Sequence, residues 1–593
     1  MKPILAFLWL VSVLSVALAQ RPSVSIVEPA NGQTFSPGWV TLSANAQDAD
    51  GYVAAVEFYL DGVFCGSVGE PPFTTSIFCS AGRYKIQAIA YDNQGYFTES
   101  APVRFQVGGE FGVDLLRGPY LQSCTATSIV VRWRTDWPTN SVVRFGTTAP
   151  EEFSVTNPVR TSEHDVRLTG LAPATRYSYS FGSGTQVFGG DYPQTFVTAP
   201  TNTQPLTVWA IGDFGTGYEN QDAVRDAFLN STFAAETRVW LMLGDNAYES
   251  GTDDEYQANV FNKYAMLFPN VPVWPTIGNH DAAFPDGLGR IPYLDIFDLP
   301  VNGEAGGVAS GTERYYSFDH GNVHFICLDS QMSDRSSNGP MMQWLRADLA
   351  DTTKDWIVAF WHHPPYTSGT HFSDIERELF EMRENALPIL EAYGADLVLA
   401  GHSHVYERSY LINGHYGRTN TFDASMKLDG SLGRDDDLGP YRKPAGGLGA
   451  NRGTVYIVCG CSGEGSPGNS FFYGQQPSMV QRLSGFGSMV MQFNGLRVDV
   501  KFLRPEGTFE DYFAIDKSQP GNVRPTLGFV PAGGGVTLSW PTSVPSFALE
   551  HARTLPTNIW QMVTNAPTQV GRKLQLTLPF TPTNEFFRLR LGP

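Results

Sequence analysis

The chain has 593 residues, of which 42% are hydrophobic and 17% are charged, so it is globular in composition and too long for a single hydrophobic core. Its formal net charge is −19. Because proteins bind phosphate backbones through Lys and Arg, this acidic balance argues against nucleic acid and anionic membranes as partners. The 60 glycines and 40 prolines imply frequent turns, which suits β-rich domains.

Residues 1–19 have the pattern of a secretory signal peptide. An early Lys2, an apolar centre and the sequence Ala17-Leu-Ala19 before Gln20 predict cleavage after Ala19. No later run is long and apolar enough to cross a bilayer. The sequence therefore predicts a secreted or periplasmic protein with no membrane span.

Two pairs of cysteines bear on this compartment. An oxidising environment would allow a disulfide between Cys65 and Cys79, and the sequence leaves that pairing open. Cys459 and Cys461 stand two residues apart on one predicted strand, so they point to the same face and are poorly placed to pair.

Three β-rich domains are predicted in addition to a central one. Residues 22–108 alternate in polarity between closely spaced turns, which is typical of an immunoglobulin-like β-sandwich. A spacer role is favoured over glycan or cell-surface contact, because the sequence alone does not separate exposed aromatics from core aromatics. Residues 113–199, with Trp133 and a tyrosine-corner pattern ending at Tyr177, predict a fibronectin III-like sandwich. Residues 526–593 predict a small C-terminal β module.

The central region, residues 206–518, alternates apolar strands with helical periods, which predicts an α/β domain of two sheets between helix layers. Helical periods run over 219–233, 253–268, 341–349 and 373–393. The glycine-containing stretch 418–451 is either a loop that overhangs the functional residues described next or a solvated insertion.

Five segments of this region place polar side chains directly after an apolar strand. They cover residues 208–215, 239–248, 273–281, 356–365 and 396–408. In open α/β sheets, functional groups gather beyond the carboxyl ends of the strands, so we expect these side chains to meet. They offer carboxylate, amide and imidazole donors and no cysteine, which suits hard or borderline cations.

In order, these segments contain GDFG at 212–215, GDNAY at 244–248, GNHD at 278–281, a histidine after a buried strand, and GHSH at 401–404. This set resembles the metallophosphoesterase signature. Most members of that superfamily have histidine two residues after the first aspartate, where this chain has Gly215, and Tyr248 stands three residues after Asp245. This exchange of histidine for tyrosine resembles the pattern of the purple acid phosphatases. The resemblance covers roughly residues 113–518.

The resemblance implies a dinuclear centre of Fe(III) and a divalent Zn, Fe or Mn ion. Asp245 would bridge the two ions and keep them about 4 Å apart. His280 and His371 would stabilise the phosphoryl oxygens and protonate the leaving group. The implied ligands are Asp213, Tyr248 and His404 for one ion, and Asn279, His362 and His402 for the other.

The chain departs from the family pattern near two of these histidines. Ala359 stands where the family has valine three residues before the ligand, and the doublet His362-His363 leaves the ligand ambiguous. His362 is preferred because it ends the strand and precedes Pro364 by two residues. His371 is followed by Phe372, whereas plant members of the family that the chain resembles have His-His there, so the identity of the general acid stays open.

The function implied is a secreted acid phosphatase that hydrolyses small phosphate monoesters by attack of metal-bound hydroxide. A phosphodiesterase of the same superfamily is the alternative among enzymes. A secreted binding or adhesion protein with an inactive phosphatase-like core is the alternative of a different class. The intact ligand set argues against this second alternative.

Overall fold

The computed structural model describes residues 20–591 with short internal gaps. The residues outside the description are 1–19, 110, 190–193, 286–289, 445–446, 449–450, 466–467, 469–470, 519–520, 523–526, 542–546, 555–558, 571–572, 580–584 and 592–593. The predicted signal peptide therefore lies outside the described residues. Within them, no helix combines the length and the apolar character that a membrane span requires.

The N-terminal module consists of two sheets packed face to face, and all of their strand pairs are antiparallel except Gln33–Phe35 with Val103–Val107. The first sheet contains Ser23–Glu28, Gly38–Gln47 and Phe73–Cys79, and the second contains Gln33–Phe35, Val53–Leu60, Val63–Val68, Gly82–Asp92, Phe97–Glu99 and Val103–Val107. Alternation sends Val40 and Leu42 into a shared core with Phe58 and Phe105. Cys65 and Cys79 are free thiols, so the disulfide that the sequence left open is not formed.

The second domain has six strands in one continuous hydrogen-bonded sheet. Its strands are Leu115–Gln122, Ser128–Gly146, Phe153–Thr169, Arg176–Gly182, Val187–Phe188 and Thr195–Val197. The long strand Ser128–Gly146 links the halves, because its first part pairs with Leu115–Gln122 and its last part with Arg176–Gly182. Tyr177 accepts a hydrogen bond from the Ala172 amide at 2.9 Å, which is the contact expected of a tyrosine corner.

The central domain contains two seven-stranded sheets. The first core sheet has the order Val273–Pro275, Thr237–Met242, Leu206–Ile211, Ser488–Asn494, Arg497–Leu503, Phe509–Asp516 and Tyr441–Arg442. The second core sheet has the order Tyr316–His320, Val323–Cys327, Trp356–Phe360, Leu397–Ala400, Val455–Cys459, Tyr406–Ser409 and Met479–Leu483. The strands that lead into the predicted site are parallel to one another within each sheet.

These sheets lie between helices, as predicted, because the central strands are buried on both faces. In Trp356–Phe360, Trp356 packs across the interior against Phe493 of the first core sheet, while Ile357 joins the cluster that contains Met341 of a covering helix. On the other outer face, Trp209 stacks on Phe228 with ring centroids 4.0 Å apart. The α-helices are Glu219–Leu229, Asp253–Glu255, Pro292–Ile296, Pro340–Asp351, Arg377–Asn385 and Leu387–Ala392.

Two predicted helices differ in detail. The helix predicted over 253–268 starts with a capping box formed by Thr252 and Glu255, but it continues as the π-helix Tyr256–Phe261 and then as turns. The helix predicted over 373–393 is divided at Ala386, because Pro388 supplies no backbone N–H.

The stretch 418–451 contributes to the sheets in its described part. Lys427–Asp429 pairs with Leu411–Ile412, and Tyr441–Arg442 extends the first core sheet. Lys443, fully buried, binds the Asp396 carboxylate at 2.7 Å. Because Asp396 precedes a strand whose far end carries His402, this part of the stretch is anchored away from the predicted site.

The second domain is fixed to the central domain by buried polar contacts. The buried guanidinium of Arg117 pairs with Asp253 at 3.0 Å, and the Tyr120 hydroxyl donates to the Ile296 carbonyl at 2.9 Å. The described part of the C-terminal module has two further sheets with a core around Leu538 and Trp540. Its strands are Gly528–Ala532, Gly535–Pro541, Thr568–Val570 and Lys573–Pro579 in one sheet, and Phe547–Ala552, Gln561–Met562 and Phe586–Leu591 in the other.

Candidate metal centre

The polar motifs of the central domain meet where the carboxyl ends of the two core sheets come together. The first core sheet supplies Asp213, Asp245 and Asn279, each just beyond a strand. The second core sheet supplies His362 and His402 in the same way. This placement is the one expected for functional groups of open α/β sheets.

The loops that carry these residues have an unusual backbone. Asp213, Asp245 and His402 have φ angles of 55°, 49° and 65°, in the left-handed region that side chains other than glycine seldom adopt. A Cβ at Gly401 would collide with the Asp213 carboxylate, so glycine is needed there for the two loops to approach. Strained backbone of this kind concentrates at functional sites, where the surrounding structure holds it.

One group of donors is formed by Asn279, His362 and His402. The Asn279 Oδ1 lies 3.0 Å from His362 Nε2 and 2.9 Å from His402 Nδ1, and these two nitrogens are 3.2 Å apart. His362 Nδ1 faces the Leu243 carbonyl at 3.0 Å, and His402 Nε2 faces Glu376 Oε2 at 3.3 Å. Since those outer nitrogens face acceptors, they carry the ring hydrogens.

The three inner atoms therefore present lone pairs to one another, which only a shared positive charge can stabilise. In the protein alone that charge is a proton: Asp245 raises the pKa of His362 to about 9 despite burial, whereas burial lowers the pKa of His402 to about 4. A metal ion would serve equally well, because donors about 3 Å apart match adjacent positions around a cation at about 2.1 Å.

A second group adjoins the first through Asp245. Its Oδ2 lies 3.3 Å from His362 Nε2 and 3.2 Å from the Tyr248 hydroxyl. The Tyr248 hydroxyl is also 3.3 Å from Asp213 Oδ1, and His404 Nε2 lies 3.5 Å from the same oxygen. Burial beside two carboxylates holds the pKa of Tyr248 well above its ordinary value, so the phenol is protonated in the absence of cations.

Gly215 explains why the residue two after Asp213 contributes no ligand. Its carbonyl accepts a hydrogen bond from the Tyr248 amide at 2.9 Å, and a Cβ at Gly215 would collide with the Asn246 carbonyl oxygen. A histidine would therefore not fit at this position without moving the loop.

The two predicted catalytic histidines lie at the rim and are each about one-third exposed. His280 Nδ1 lies 2.7 Å from the Glu249 carbonyl, and its Nε2 is 4.0 Å from Asp245 Oδ2. The His371 ring centroid is 3.8 Å from that of His402, and its Nδ1 is 2.8 Å from Glu376 Oε2. In both residues Nε2 is the nitrogen left for a substrate.

The histidine doublet is divided by its hydrogen bonds. His362 Nε2 faces Asn279 and Asp245, whereas His363 Nδ1 is hydrogen-bonded to Ser330 Oγ at 2.8 Å. Nitrogens of His362, His363 and His402 nevertheless lie within 4.8 Å of one another. Burial holds the pKa of His363 well below its ordinary value, so a neutral ring packs behind the first group.

Sequence reasoning missed two carboxylates that organise the site. Glu376 joins His371 to His402 and accepts from the Phe372 amide at 2.9 Å. Although burial opposes it, these hydrogen bonds hold the pKa of Glu376 well below its ordinary value. The available signal was its position five residues after His371, just before the helix Arg377–Asn385.

The second of these carboxylates is Asp281, the last residue of GNHD. Its carboxylate accepts from the amides of Asn246 and Gly278 and from the Tyr256 hydroxyl, at 3.0, 2.8 and 2.6 Å. Burial, reinforced by Asp245, raises its pKa to about 6. Asp281 thus ties the second motif to the third.

Three family models match the chain. Residues 22–88 match a bacterial Ig domain, residues 119–198 match the purple acid phosphatase N-terminal domain, and residues 206–406 match the calcineurin-like phosphoesterases. The last match contains every predicted ligand.

Relatives and solved structures agree with these matches. Purple acid phosphatase 15 of Arabidopsis thaliana is 29% identical over 283 residues, which are 42% of this chain and 49% of that protein. An uncharacterized protein of Mycobacterium tuberculosis is 26% identical over 424 residues, 64% of this chain and 75% of its own length. The chain thus spans about half of the length of the Arabidopsis relative.

A purple acid phosphatase from yellow lupin seeds has the same fold, with a TM-score of 0.54 and 13% identity over 86% of this chain and 100% of that one. In this chain the match to the purple acid phosphatase N-terminal domain directly precedes the match to the calcineurin-like phosphoesterases. Residues 119–198 and 206–406 thus match the purple acid phosphatase N-terminal domain and the calcineurin-like phosphoesterases, and the chain is similar to the purple acid phosphatases of the metallophosphoesterase superfamily.

Proposed function

We propose that this chain is a dinuclear-metal acid phosphatase that hydrolyses small phosphate monoesters. The observation that carries the proposal is the convergence of lone pairs from Asn279, His362 and His402 beside the buried carboxylate of Asp245. One proton can satisfy only part of this arrangement, whereas a cation can accept all of these lone pairs at once, so a cation site explains the arrangement better than an inactive core does.

The donor set supports two cations. Asn279, His362 and His402 would hold one, and Asp245 Oδ2 is placed to reach both positions. Asp213, Tyr248 and His404 would hold the other. When bound, a cation pair supplies Lewis acidity, which lowers the pKa of water and neutralises charge on phosphoryl oxygens.

The rim residues would position and protonate the substrate. His280 is fixed by the Glu249 carbonyl on one nitrogen and by the contact of its own amide with Asp245 Oδ1 at 2.8 Å. His371 is fixed by Glu376. Either Nε2 could donate to a phosphoryl oxygen or to the departing ester oxygen, so both roles are assigned to this pair.

Tyr248 supports Fe(III) as one of the ions and Zn, Fe or Mn as the other. A phenolate beside Asp213 and Asp245 requires a strongly acidic cation, because burial and two carboxylates keep the phenol protonated otherwise. Charge transfer from phenolate to ferric iron absorbs visible light, so the oxidised protein should be purple or pink.

Substitution of this tyrosine tests the assignment. Tyr248→Phe should remove the visible absorption band, while Tyr264→Phe, which alters another buried tyrosine, should leave it unchanged. Metal content, absorption spectrum and circular dichroism would be measured on each protein. A colourless wild-type protein that is fully active with zinc or manganese alone would refute the iron assignment.

A substrate panel tests the reaction itself. Aryl and alkyl phosphate monoesters, matched diesters and phytate would be assayed at acidic and neutral pH, together with metal analysis. Two metal ions per chain and faster turnover of monoesters are expected. Faster turnover of diesters would replace the proposal with the phosphodiesterase alternative, and neither metal nor turnover would favour the binding protein.

Export is part of the proposal, and it rests on the signal-peptide pattern that ends at Ala19. The bacterial Ig domain match is compatible with an extracellular location. N-terminal sequencing of the protein recovered from the culture medium or the periplasm should begin at Gln20.

A further inference from the structure

The outer face of the first N-terminal sheet carries an exposed aromatic pair. Trp39 and Phe78 are directly opposite each other on neighbouring strands, 74% and 62% exposed, with ring centroids 5.9 Å apart. Large aromatics are usually buried because they bring most apolar area into a core. Two such rings side by side on an open sheet face therefore indicate a surface that contacts something else.

The rest of this face is polar but almost uncharged. Moving along the strands from the aromatic pair, Thr41 is opposite Ser76 and Ser43 is opposite Thr74. Asn45 and Gln47 continue the row opposite Ser25 and Ser23. We call these residues, with the aromatic pair, the hydroxyl face.

Charge distinguishes the hydroxyl face from the remainder of the molecule. The three strands that form it contain one charged residue, Glu28, which pairs with Ser43 at one end of the first strand, in a chain whose formal net charge is −19. Solvated sheet faces normally carry Lys and Glu, which also prevent edge-to-edge association. An open face without them is matched to a neutral ligand, since neither a basic nor an acidic partner would find a complementary charge there.

We propose that the hydroxyl face binds a neutral polysaccharide. The faces of pyranose rings carry C–H groups that pack against the negative faces of aromatic rings, as Trp39 and Phe78 offer them. Neutral hydroxyl and amide groups such as Thr41, Ser76 and Asn45 exchange hydrogen bonds with sugar hydroxyls without the desolvation penalty of a charge. The row of paired side chains runs along the strands, so an extended chain fits it better than a single sugar does.

The same face explains why the module is attached to a hydrolase without supplying any residue to its site. A module that holds the protein on an insoluble polymer would concentrate it there, which is an effect of tethering that needs no new catalytic contact. This inference is independent of the proposed function, because no residue of the hydroxyl face is among the candidate ligands.

Binding to insoluble polymers tests the proposal. The full mature chain would be incubated with microcrystalline cellulose and with chitin, and the unbound fraction would be measured against protein concentration. We expect saturable binding to at least one of the two neutral polymers. Trp39→Ala and Phe78→Ala should each weaken it about tenfold, the effect of removing one well-packed contact residue.

Phe64→Ala is the matched control, because Phe64 is an aromatic of the same module, 53% exposed, on a strand of the other sheet. It should bind as wild type does. Turnover of a soluble phosphate ester should be the same in all four proteins, and circular dichroism would verify folding. Thr41→Asp is a second test, because it adds a charge to the hydroxyl face while keeping the aromatic pair. It should also weaken binding.

Three results would overturn the proposal. They are no saturable binding to either neutral polymer, equal binding by wild type and both aromatic variants, and a loss of binding with Phe64→Ala equal to that with Trp39→Ala. Light scattering tests whether the face instead binds a second copy of the chain. If wild type is a dimer and Trp39→Ala is a monomer, the face is an interface between two copies and the proposal is overturned.

Discussion

The central domain and the N-terminal module place their exposed chemistry in opposite ways. In the central domain the parallel strands are buried on both faces, as in Trp356–Phe360, and the polar groups stand just beyond the strand ends. In the N-terminal module the strands alternate, as in Gly38–Gln47, and one whole face is open to solvent. The first arrangement gathers donors from several strands into one buried point, while the second spreads side chains over a surface.

This difference determines what each region can do. Five strand ends converge on donors separated by about 3 Å, a spacing suited to a cation and to a reaction at one phosphorus atom. A flat face offers many weak contacts and no common point, so it suits recognition of an extended ligand. Variants that affect one region should therefore leave the other unchanged.

The largest effect is expected from Asp245→Ala. Its carboxylate contacts His362, Tyr248 and the His280 amide, so its loss removes the group that links the two sets of donors. We expect metal content to fall for both ions and turnover to fall by at least about a thousandfold. Metal analysis and initial rates measure this, and binding to polysaccharide should not change.

Retention of both metals and of activity by that variant would refute the assignment of the site. Asp254→Ala, an exposed carboxylate of the helix Asp253–Glu255, is the control for loss of negative charge.

A smaller effect is expected from Glu376→Gln. The carboxylate holds His371 and His402 together, so the amide would keep the shape but lose the ionic acceptor for one of the two rings. Loss of the group that hydrogen-bonds the second ring nitrogen of a metal-binding histidine typically lowers metal affinity or activity about 10- to 100-fold. We expect weaker binding of the ion at His402, measured by titration of the metal-free protein, and a lower kcat.

Glu378→Gln, two residues further along and paired with Arg335 instead, should behave as wild type. Unchanged metal affinity in Glu376→Gln would show that the carboxylate merely supports the loop.

The sequence predicted the central site better than it predicted what surrounds it. The motifs could be placed because each follows an apolar strand, and strand ends have a common destination in this class of fold. The contact of Glu376 depends on how the loop after His371 turns back, which no local pattern encodes. The ligand roles themselves stay predictions until metal is measured.

Outside the site, the sequence did not predict features that depend on how side chains pack against neighbouring strands and helices. Alternation predicted the strand Gly38–Gln47, but its register against Phe73–Cys79 is needed to see that Trp39 meets Phe78 on the outside. The helical period over 253–268 did not reveal the π-helical turn, because both helix types bury nearly the same face. The pairing of Cys65 with Cys79, which the sequence left open, is decided only by the structure, where both are free.

A pH experiment compares a buried ion cluster of the central domain with a neutral one of the second domain. His324 lies between Asp319 and Asp348, at 2.7 and 2.8 Å, and these carboxylates outweigh burial and raise its pKa to about 9. The stability it contributes is therefore fully present below about pH 6.5 and lost as pH rises through 9, amounting to a few kcal/mol. His324→Gln should remove this dependence of the free energy of unfolding.

His164 should behave in the opposite sense. It is buried against Trp133 and hydrogen-bonded to Thr135 and Ser141, and burial lowers its pKa to about 4. Its neutral form is favoured in the folded state, so stability falls as pH drops from about 6.5 towards 4. Denaturant titrations of wild type, His324→Gln and His164→Gln at pH 5, 7 and 9.5 would separate the two. Equal pH profiles for all three proteins would contradict both assignments.

The smallest effect on catalysis is expected from deletion of residues 20–108. The N-terminal module supplies no candidate ligand, and its described contacts to the rest of the chain include one ion pair, Arg83 with Asp136 at 2.8 Å, and stacking of Arg83 on Trp137. Partly exposed pairs of this kind contribute about 1 kcal/mol or less, so the truncated chain should stay folded. Its kcat and KM for a small soluble monoester should remain within about twofold of the full chain.

With a substrate attached to cellulose or chitin, the truncated chain should be slower than the full chain, because the hydroxyl face is gone while the metal centre is intact. Equal rates on soluble and immobilised substrate would remove the functional division between the two regions, and a large loss on the soluble monoester by a folded truncated protein would show that the module supports the site directly.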